Sequence, residues 1–152
     1  MREIVILGGT FDLFHKGHKL FLGFAISLGK KILVGITSDE FAAKKNHDVE
    51  PFEQRLKNVS KFLDTNHANF EIFKLEDFAG LSIRLEKGTL ISTSDTLKNS
   101  ILINKIRLEK NLPPLEILLV PLLEAEDSEP ISSSRIRKGD INEEGYLKAR
   151  KA

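Results

Sequence analysis

Apolar positions along this chain fall into two alternating rhythms. Continuous runs of aliphatic and β-branched residues occur at "EIVILG" (3–8), "KILVGIT" (31–37), "FEIFKL" (70–75), "TLIST" (89–93) and "LEILLVPL" (115–122), and such short apolar runs predict strands. The first, second and fifth are almost wholly apolar, which predicts burial on both faces of a sheet. Between them, apolar residues recur at helical spacing over 17–28, 51–63 and 96–110. Strands alternating with helices predict an α/β domain: a Rossmann-like, five-stranded parallel sheet with helices on both faces. There is no internal repeat or low-complexity tract, so residues 1–152 are expected to form a single domain. Two stretches lack either rhythm, "AKKNHDVE" (43–50) and "EAEDSEP" (124–130). Each follows a strand or the short helix attached to it, at the sheet edge where open α/β folds bind ligands.

Charge narrows the range of functions. Lys and Arg number 23 against 22 Asp and Glu, a net charge of +1, which argues against the broad basic surface that nucleic acid requires. A phosphate ligand must therefore be met locally. The chain has no cysteine, which excludes disulfides, thiolate nucleophiles and Cys-ligated zinc and suits a reducing compartment. No apolar stretch is long enough to span a bilayer, so a soluble, cytoplasmic protein without membrane contact is expected.

Two clusters carry candidate chemistry. The first, "GGTFDLFHKGH" (8–18), runs from the end of the first strand into the first helix. Paired glycines, Gly8 and Gly9, let backbone approach a ligand, and the free amides of the following helix attract anions. The loop matches neither common glycine-rich phosphate motif. His15 and His18 lie three residues apart, so both can face one way along a helix. Two histidines without a third ligand are weak grounds for a metal, and none is expected. The plainer structural alternative is that one histidine caps the helix while the other packs in the core. The second cluster, "PISSSRIRKGD" (130–140), places Ser132, Ser133 and Ser134 before Arg135, Arg137 and Lys138. It can be a helix start whose hydroxyls and amides hold phosphate oxygens, or simply an N-cap with a basic face. Lys44 and Lys45 follow "TSDEFA". Arg55 and Arg107 lie on amphipathic helices and read as ordinary surface charges.

Taken together, the two clusters resemble the paired signatures of the nucleotidyltransferase superfamily, HxGH near the start and ISSTxIR near the end. Within it, the chain is similar to archaeal phosphopantetheine adenylyltransferases almost end to end, through "TSDEFAAKK", "PFEQRLKNVSKFL", "INKIRLEKNLPPLEILLVPLLEAED" and "ISSSRIRKGDINEEG". It departs from cytidylyltransferases and FAD synthetases, which carry Arg-Thr-x-Gly where Asp127-Ser128-Glu129-Pro130 stands here. Nicotinamide-mononucleotide adenylyltransferases have arginine in place of Thr10. The bacterial phosphopantetheine enzymes have Arg-Gly-Leu-Arg after the fourth strand, where this chain reads "TSDTL" (93–97).

The resemblance implies adenylyl transfer from ATP to 4'-phosphopantetheine, a step of coenzyme A synthesis, with Mg²⁺ arriving as the counter-ion of ATP. It implies Thr10 and His18 as catalytic residues. ATP contacts are implied from Gly8, Gly9, Thr10, Phe11, His15, His18, Ser132, Ser133, Ser134 and Arg137, and acceptor contacts from Thr10 with Lys44 or Lys45. Coenzyme A as a feedback ligand and a monomer or small homo-oligomer are further expectations. Three alternatives stand beside this one: the same chemistry with FMN or glycerol phosphate as acceptor, a non-catalytic nucleotide-binding regulator, and a nucleic-acid module built on "SSSRIRK".

Overall fold

The computed structural model describes residues 1–45 and 48–149, so Asn46 and His47 of the "AKKNHDVE" stretch lie outside the described residues. Among the described residues five strands form one sheet: β1 Arg2–Gly9, β2 Gly29–Thr37, β3 Phe70–Leu75, β4 Thr89–Ser92 and β5 Glu116–Leu119. Five helices accompany them: α1 Lys16–Leu28, α2 Asp39–Ala43, α3 Phe52–Thr65, α4 Leu97–Glu109 and α5 Ser133–Arg137. The sheet is parallel throughout, in the order β3-β2-β1-β4-β5. This is the doubly wound α/β arrangement expected from the alternating rhythms, with β1 at the centre.

Alternation along the strands sends side chains to two cores. Val5, Leu7, Ile32, Val34 and Ile36 pack against Leu22 and Ala25 of α1 and Val59 and Leu63 of α3. Ile6, Leu33 and Leu90 turn to the opposite face and meet Ile103 of α4. A fully buried aliphatic side chain contributes roughly 1.5–3 kcal/mol, so these layers fix the register of the sheet. The connection from β3 to β4 carries only a 3₁₀ turn, Gly80–Ile83, where a parallel crossover usually carries a longer helix. That face is therefore covered by a thinner layer, and a cavity opens beneath it.

One strand departs from expectation. β5 is a short edge strand whose Glu116 and Leu119 are exposed and whose Ile117 and Leu118 are half-buried, so its apolar run does not mark burial on both faces. Instead β4, unremarkable in sequence, is buried at all four positions. Position in the sheet, which apolar content alone does not encode, decides the matter.

β1 and β4 also diverge. Their registered pairs are Val5–Thr89 and Ile6–Leu90, whereas β1 stays paired with β2 through Gly9. The chain reverses its winding direction here, and the separation makes the crevice at the carboxyl ends of the strands where such folds bind ligands. Among the described residues no helix is long and apolar enough to cross a membrane.

Candidate active site

The loop leaving β1 enters the crevice in a strained conformation. Phe11 and Leu13 adopt φ of 55° and 48°, a region that residues other than glycine seldom occupy. Side chains hold it there: Asp12 accepts the Glu50 N–H at 2.9 Å, and Glu50 accepts the Leu13 N–H at 2.8 Å. Phe11 is buried, and its ring lies where a Cβ on Gly9 would come within 3.1 Å of it.

His15 and His18 form a reciprocal cap on α1. The Nδ1 of His15 accepts the His18 N–H at 3.3 Å, and the Nδ1 of His18 accepts the His15 N–H at 3.2 Å. The rings stack with centroids 3.6 Å apart. A side chain on Gly17 would strike the His15 ring at 2.9 Å, which explains the glycine between the two histidines. Burial lowers the pKa of His15 to about 4, although Asp12 and Glu143 pull the other way. Burial, and then the neighbouring His15, lowers His18 to about 2. Both rings are therefore neutral near pH 7, and with Nδ1 accepting, each has Nε2–H as its donor. Capping and packing do occur, as the plainer alternative anticipated, but the cap also fixes the direction in which the two donors point.

Two cavities meet at this loop. The larger, of about 390 Å³, lies between the sheet and the 3₁₀ connection; Thr37, Lys45, Phe73, Phe78 and Asn99 are among the residues on its wall. The smaller, of about 270 Å³, is lined by His15, His18, Phe21, Pro121, Leu122 and Ser132, among others. Gly8, Gly9, Thr10, Thr96 and Ser133 line both. The sheet edge thus presents two lobes joined at the paired glycines.

The second cluster folds over this junction. Ser132 caps α5 by accepting the Arg135 N–H at 3.2 Å, and Ser133 donates to the Asp12 carbonyl at 2.5 Å. Arg137 forms an ion pair with the buried Asp12 at 2.6 Å, while its Nη1 is buried without a hydrogen-bond partner among the described residues. Arg135 instead pairs with Asp127 and accompanies the 124–130 stretch. Ser134 is exposed and lines neither lobe. The lysines separate as well: Lys45 lines the larger lobe, whereas Lys44 is exposed with its Nζ 5.8 Å from the Phe41 ring centre. Among the described residues no group of three or more His, Asp or Glu is placed to hold a metal ion.

Arg55 and Arg107 are not surface charges: both are fully buried. Arg55 donates to the carbonyls of Thr10 (3.0 Å), Thr37 (2.8 Å) and Glu50 (2.8 Å), to Thr37 Oγ1 (3.2 Å) and to Asp39 (2.9 Å). It thereby ties the carboxyl ends of β1 and β2 to the start of α2. Arg107 donates to the carbonyls of Ser82, Leu85, Glu86 and Pro113. For Arg55 a readable signal existed in helical phase; for Arg107 none did, since the apolar Ile101, Leu102 and Leu108 of its helix are exposed. The buried positions of α3 are Phe52, Arg55, Val59 and Leu63, and those of α4 are Ser100, Ile103 and Arg107, so each arginine lies on its helix's inward stripe. Asp12 and Thr37 gave no comparable sign.

Comparison with known proteins agrees with this geometry. Residues 6–139 match the cytidylyltransferase-like family. The chain is 38% identical over 146 residues to the phosphopantetheine adenylyltransferase of Methanothermobacter thermautotrophicus, covering 95% of this chain and 89% of the relative. It is 36% identical to that of Pyrococcus abyssi, covering 91% and 90%. Among solved structures, a protein of unknown function from Archaeoglobus fulgidus superposes with a TM-score of 0.72 at 32% identity, over 76% of this chain and 87% of that one. The chain belongs to the cytidylyltransferase-like family and, within it, to the archaeal phosphopantetheine adenylyltransferases.

Proposed function

We propose that this chain transfers AMP from ATP to the phosphate of 4'-phosphopantetheine, giving dephospho-coenzyme A and pyrophosphate. The observation that carries the reading is the pair of lobes meeting at Gly8, Gly9, Thr10 and Ser133: one site for each of two phosphorylated substrates, with the reacting phosphates between them. The larger lobe combines apolar walls with Lys45, which suits an extended arm ending in a phosphate. Coenzyme A carries the same arm, so the reading extends to it as a feedback ligand of that lobe.

The acceptor phosphate has a second pKa near about 6 and is already a nucleophile at neutral pH. One of its oxygens bonds to the α-phosphorus of ATP. The bond from that phosphorus to the bridging oxygen breaks, and its electron pair leaves with pyrophosphate. No proton need be removed, so holding the substrates in line and stabilising the developing charge suffice. Neutral His15 and His18 supply Nε2–H donors to the nucleotide, and His18 serves the transition state. Thr10 orients the α-phosphate and the acceptor phosphate. Ser132 and Ser133 serve the departing pyrophosphate; Arg137, which pairs with Asp12 and lines neither lobe, joins them by turning its unpartnered Nη1 to the phosphates when ATP binds, and Mg²⁺ arrives with ATP as part of the substrate.

Pyrophosphate release from ATP and Mg²⁺ tests this, with 4'-phosphopantetheine, FMN, nicotinamide mononucleotide and glycerol 3-phosphate offered in parallel. Turnover with phosphopantetheine alone is the expected result. Turnover with another acceptor would overturn the substrate while keeping the chemistry, and ATP binding without turnover would favour a regulator.

A further inference from the structure

Thr10 sits where the two lobes join, and its hydroxyl does not stand alone. Thr37, at the end of β2, donates from Oγ1 to Thr10 Oγ1 at 3.1 Å. Thr37 Oγ1 in turn accepts from Arg55 Nη1 at 3.2 Å. The same guanidinium nitrogen holds the Thr10 and Thr37 carbonyls at 3.0 and 2.8 Å. Arg55 is fully buried and Thr37 is 7% exposed, so water competes little for these bonds.

The order of donors sets where each proton lies. A guanidinium has donors only, and the two hydrogens of Nη1 serve three acceptors, so Arg55 presents to Thr37 Oγ1 an N–H shared with a carbonyl. The Thr37 proton is then directed to Thr10 Oγ1, and the proton of Thr10 remains for a third acceptor. A threonine hydroxyl otherwise rotates freely and can donate to a nearby carbonyl. Here the relay removes that freedom, and a cation at its head polarises each O–H in turn. The result is a hydroxyl preset to donate, at the place where phosphate oxygens, which only accept, would meet.

We infer that Thr37 is a positioning residue for the transfer, acting with Arg55 to aim the Thr10 hydroxyl proton at the phosphate oxygens between the lobes. This rests on the proposed adenylyl transfer. It also gives the junction a source of stabilisation other than arginine in a chain whose fourth-strand loop reads "TSDTL".

Thr37→Val keeps the side-chain shape and removes only the hydroxyl, while Arg55 Nη1 retains both carbonyls, so the fold should survive. Steady-state kinetics should show kcat reduced about 10-fold, with KM for ATP and for 4'-phosphopantetheine changed less than about 2-fold, the size expected for one lost hydrogen bond. Thr37→Ser should recover turnover to within about 2-fold of the unaltered protein. Since Thr37 acts through Thr10, the double variant Thr10→Val with Thr37→Val should be no slower than Thr10→Val alone. Unchanged kcat in Thr37→Val, equal loss in Thr37→Ser, or a second full loss in the double variant would each overturn the relay. Those results presuppose turnover by the unaltered protein. If that protein used a different acceptor, the substrate assignment would fall and the same ratios would be read with that acceptor; inactivity with every acceptor would overturn both.

Discussion

Arg55 and Arg107 are one residue type in two regions, and the difference lies in what each is tied to. Both project from the inward side of their helix and both are fully buried, although only α3 has an apolar face to match; α4 leaves Ile101, Leu102 and Leu108 exposed. Arg55 lies beneath the crevice and binds the ends of β1 and β2, the Thr37 hydroxyl and the Asp39 carboxylate. Arg107 lies under the 3₁₀ connection and binds backbone carbonyls at 82, 85, 86 and 113. A buried cation is costly unless its donors are matched. Arg107 meets that condition with a scaffold, Arg55 with the walls of the site. Burial of a charge therefore identifies a place where the chain is pinned, and the identity of the acceptors shows whether the pinned object is the fold or the chemistry.

Replacing each arginine by methionine gives the largest effects. Removing either guanidinium leaves several buried carbonyls without a donor, at about 1–3 kcal/mol for each such group, so Arg55→Met and Arg107→Met should both lower the urea midpoint strongly. They should part company in turnover per folded molecule, measured at low temperature where both remain folded. Arg107→Met should keep kcat within about 3-fold of normal, whereas Arg55→Met should lose at least about 10-fold, since it removes the head of the relay as well. Equal retention of kcat would erase the distinction between the two regions.

The same contrast marks what the sequence made legible. Helical phase and apolar runs were enough for the five strands and the main helices, and glycine and serine placement marked the two clusters that meet at the crevice, because these are local properties. The burial of Arg55 was encoded in its phase, three residues from Phe52 and four from Val59, but its charge pointed to the surface. Its partners Thr10, just past the end of β1, and Thr37, at the end of β2, come together only through sheet register, where Gly9 pairs with Ile36. The ion pair between Asp12 and Arg137 spans 125 positions and likewise has no local sign. Lys44 and Lys45 could not be distinguished because they are adjacent; the end of α2 at Ala43 sends them to different surroundings.

The two histidines extend the comparison to residues sharing one cap. His18→Ala should lower kcat by about 10²-fold, the cost of losing one preorganised donor, while ATP affinity changes little. It should cost only about 1 kcal/mol of stability, the worth of a helix cap. A stability loss matching the loss of transition-state stabilisation would make His18 a structural residue. Next in size is the pH dependence of folding. Both histidines are held below the ordinary value of 6.5, so between pH 6.5 and about 4 the unfolded chain binds protons that the folded chain does not. Stability is therefore full above pH 6.5 and falls on acidification through that window, by up to roughly 1.4 kcal/mol per unit for each histidine. Urea midpoints at pH 7.5, 6.5 and 5.5 should record the fall, and His18→Gln, which leaves His15 in place, should about halve its slope. An equal slope in that variant would assign the acid sensitivity elsewhere.

The lysines give the smallest and cleanest test, because neither side chain is buried and neither substitution should disturb the fold. Lys45 is exposed but lines the larger lobe together with Phe41, Phe73 and Phe78, so under the proposed reaction it is the lysine expected to meet the acceptor phosphate. Lys44 lies over the Phe41 ring, an exposed contact worth about 0.5–1 kcal/mol, and does not itself line the lobe. Lys45→Ala should raise KM for the phosphorylated acceptor about 10-fold while leaving KM for ATP within about 2-fold, as expected for one charge-assisted contact. Lys44→Ala should change both by less than about 2-fold. Adding salt should weaken acceptor binding in the unaltered protein more than in Lys45→Ala, since the ammonium–phosphate attraction is screened. The reverse pattern, a large effect at Lys44 and none at Lys45, would require the turn that follows α2 to rearrange on substrate binding and exchange the positions of the two lysines.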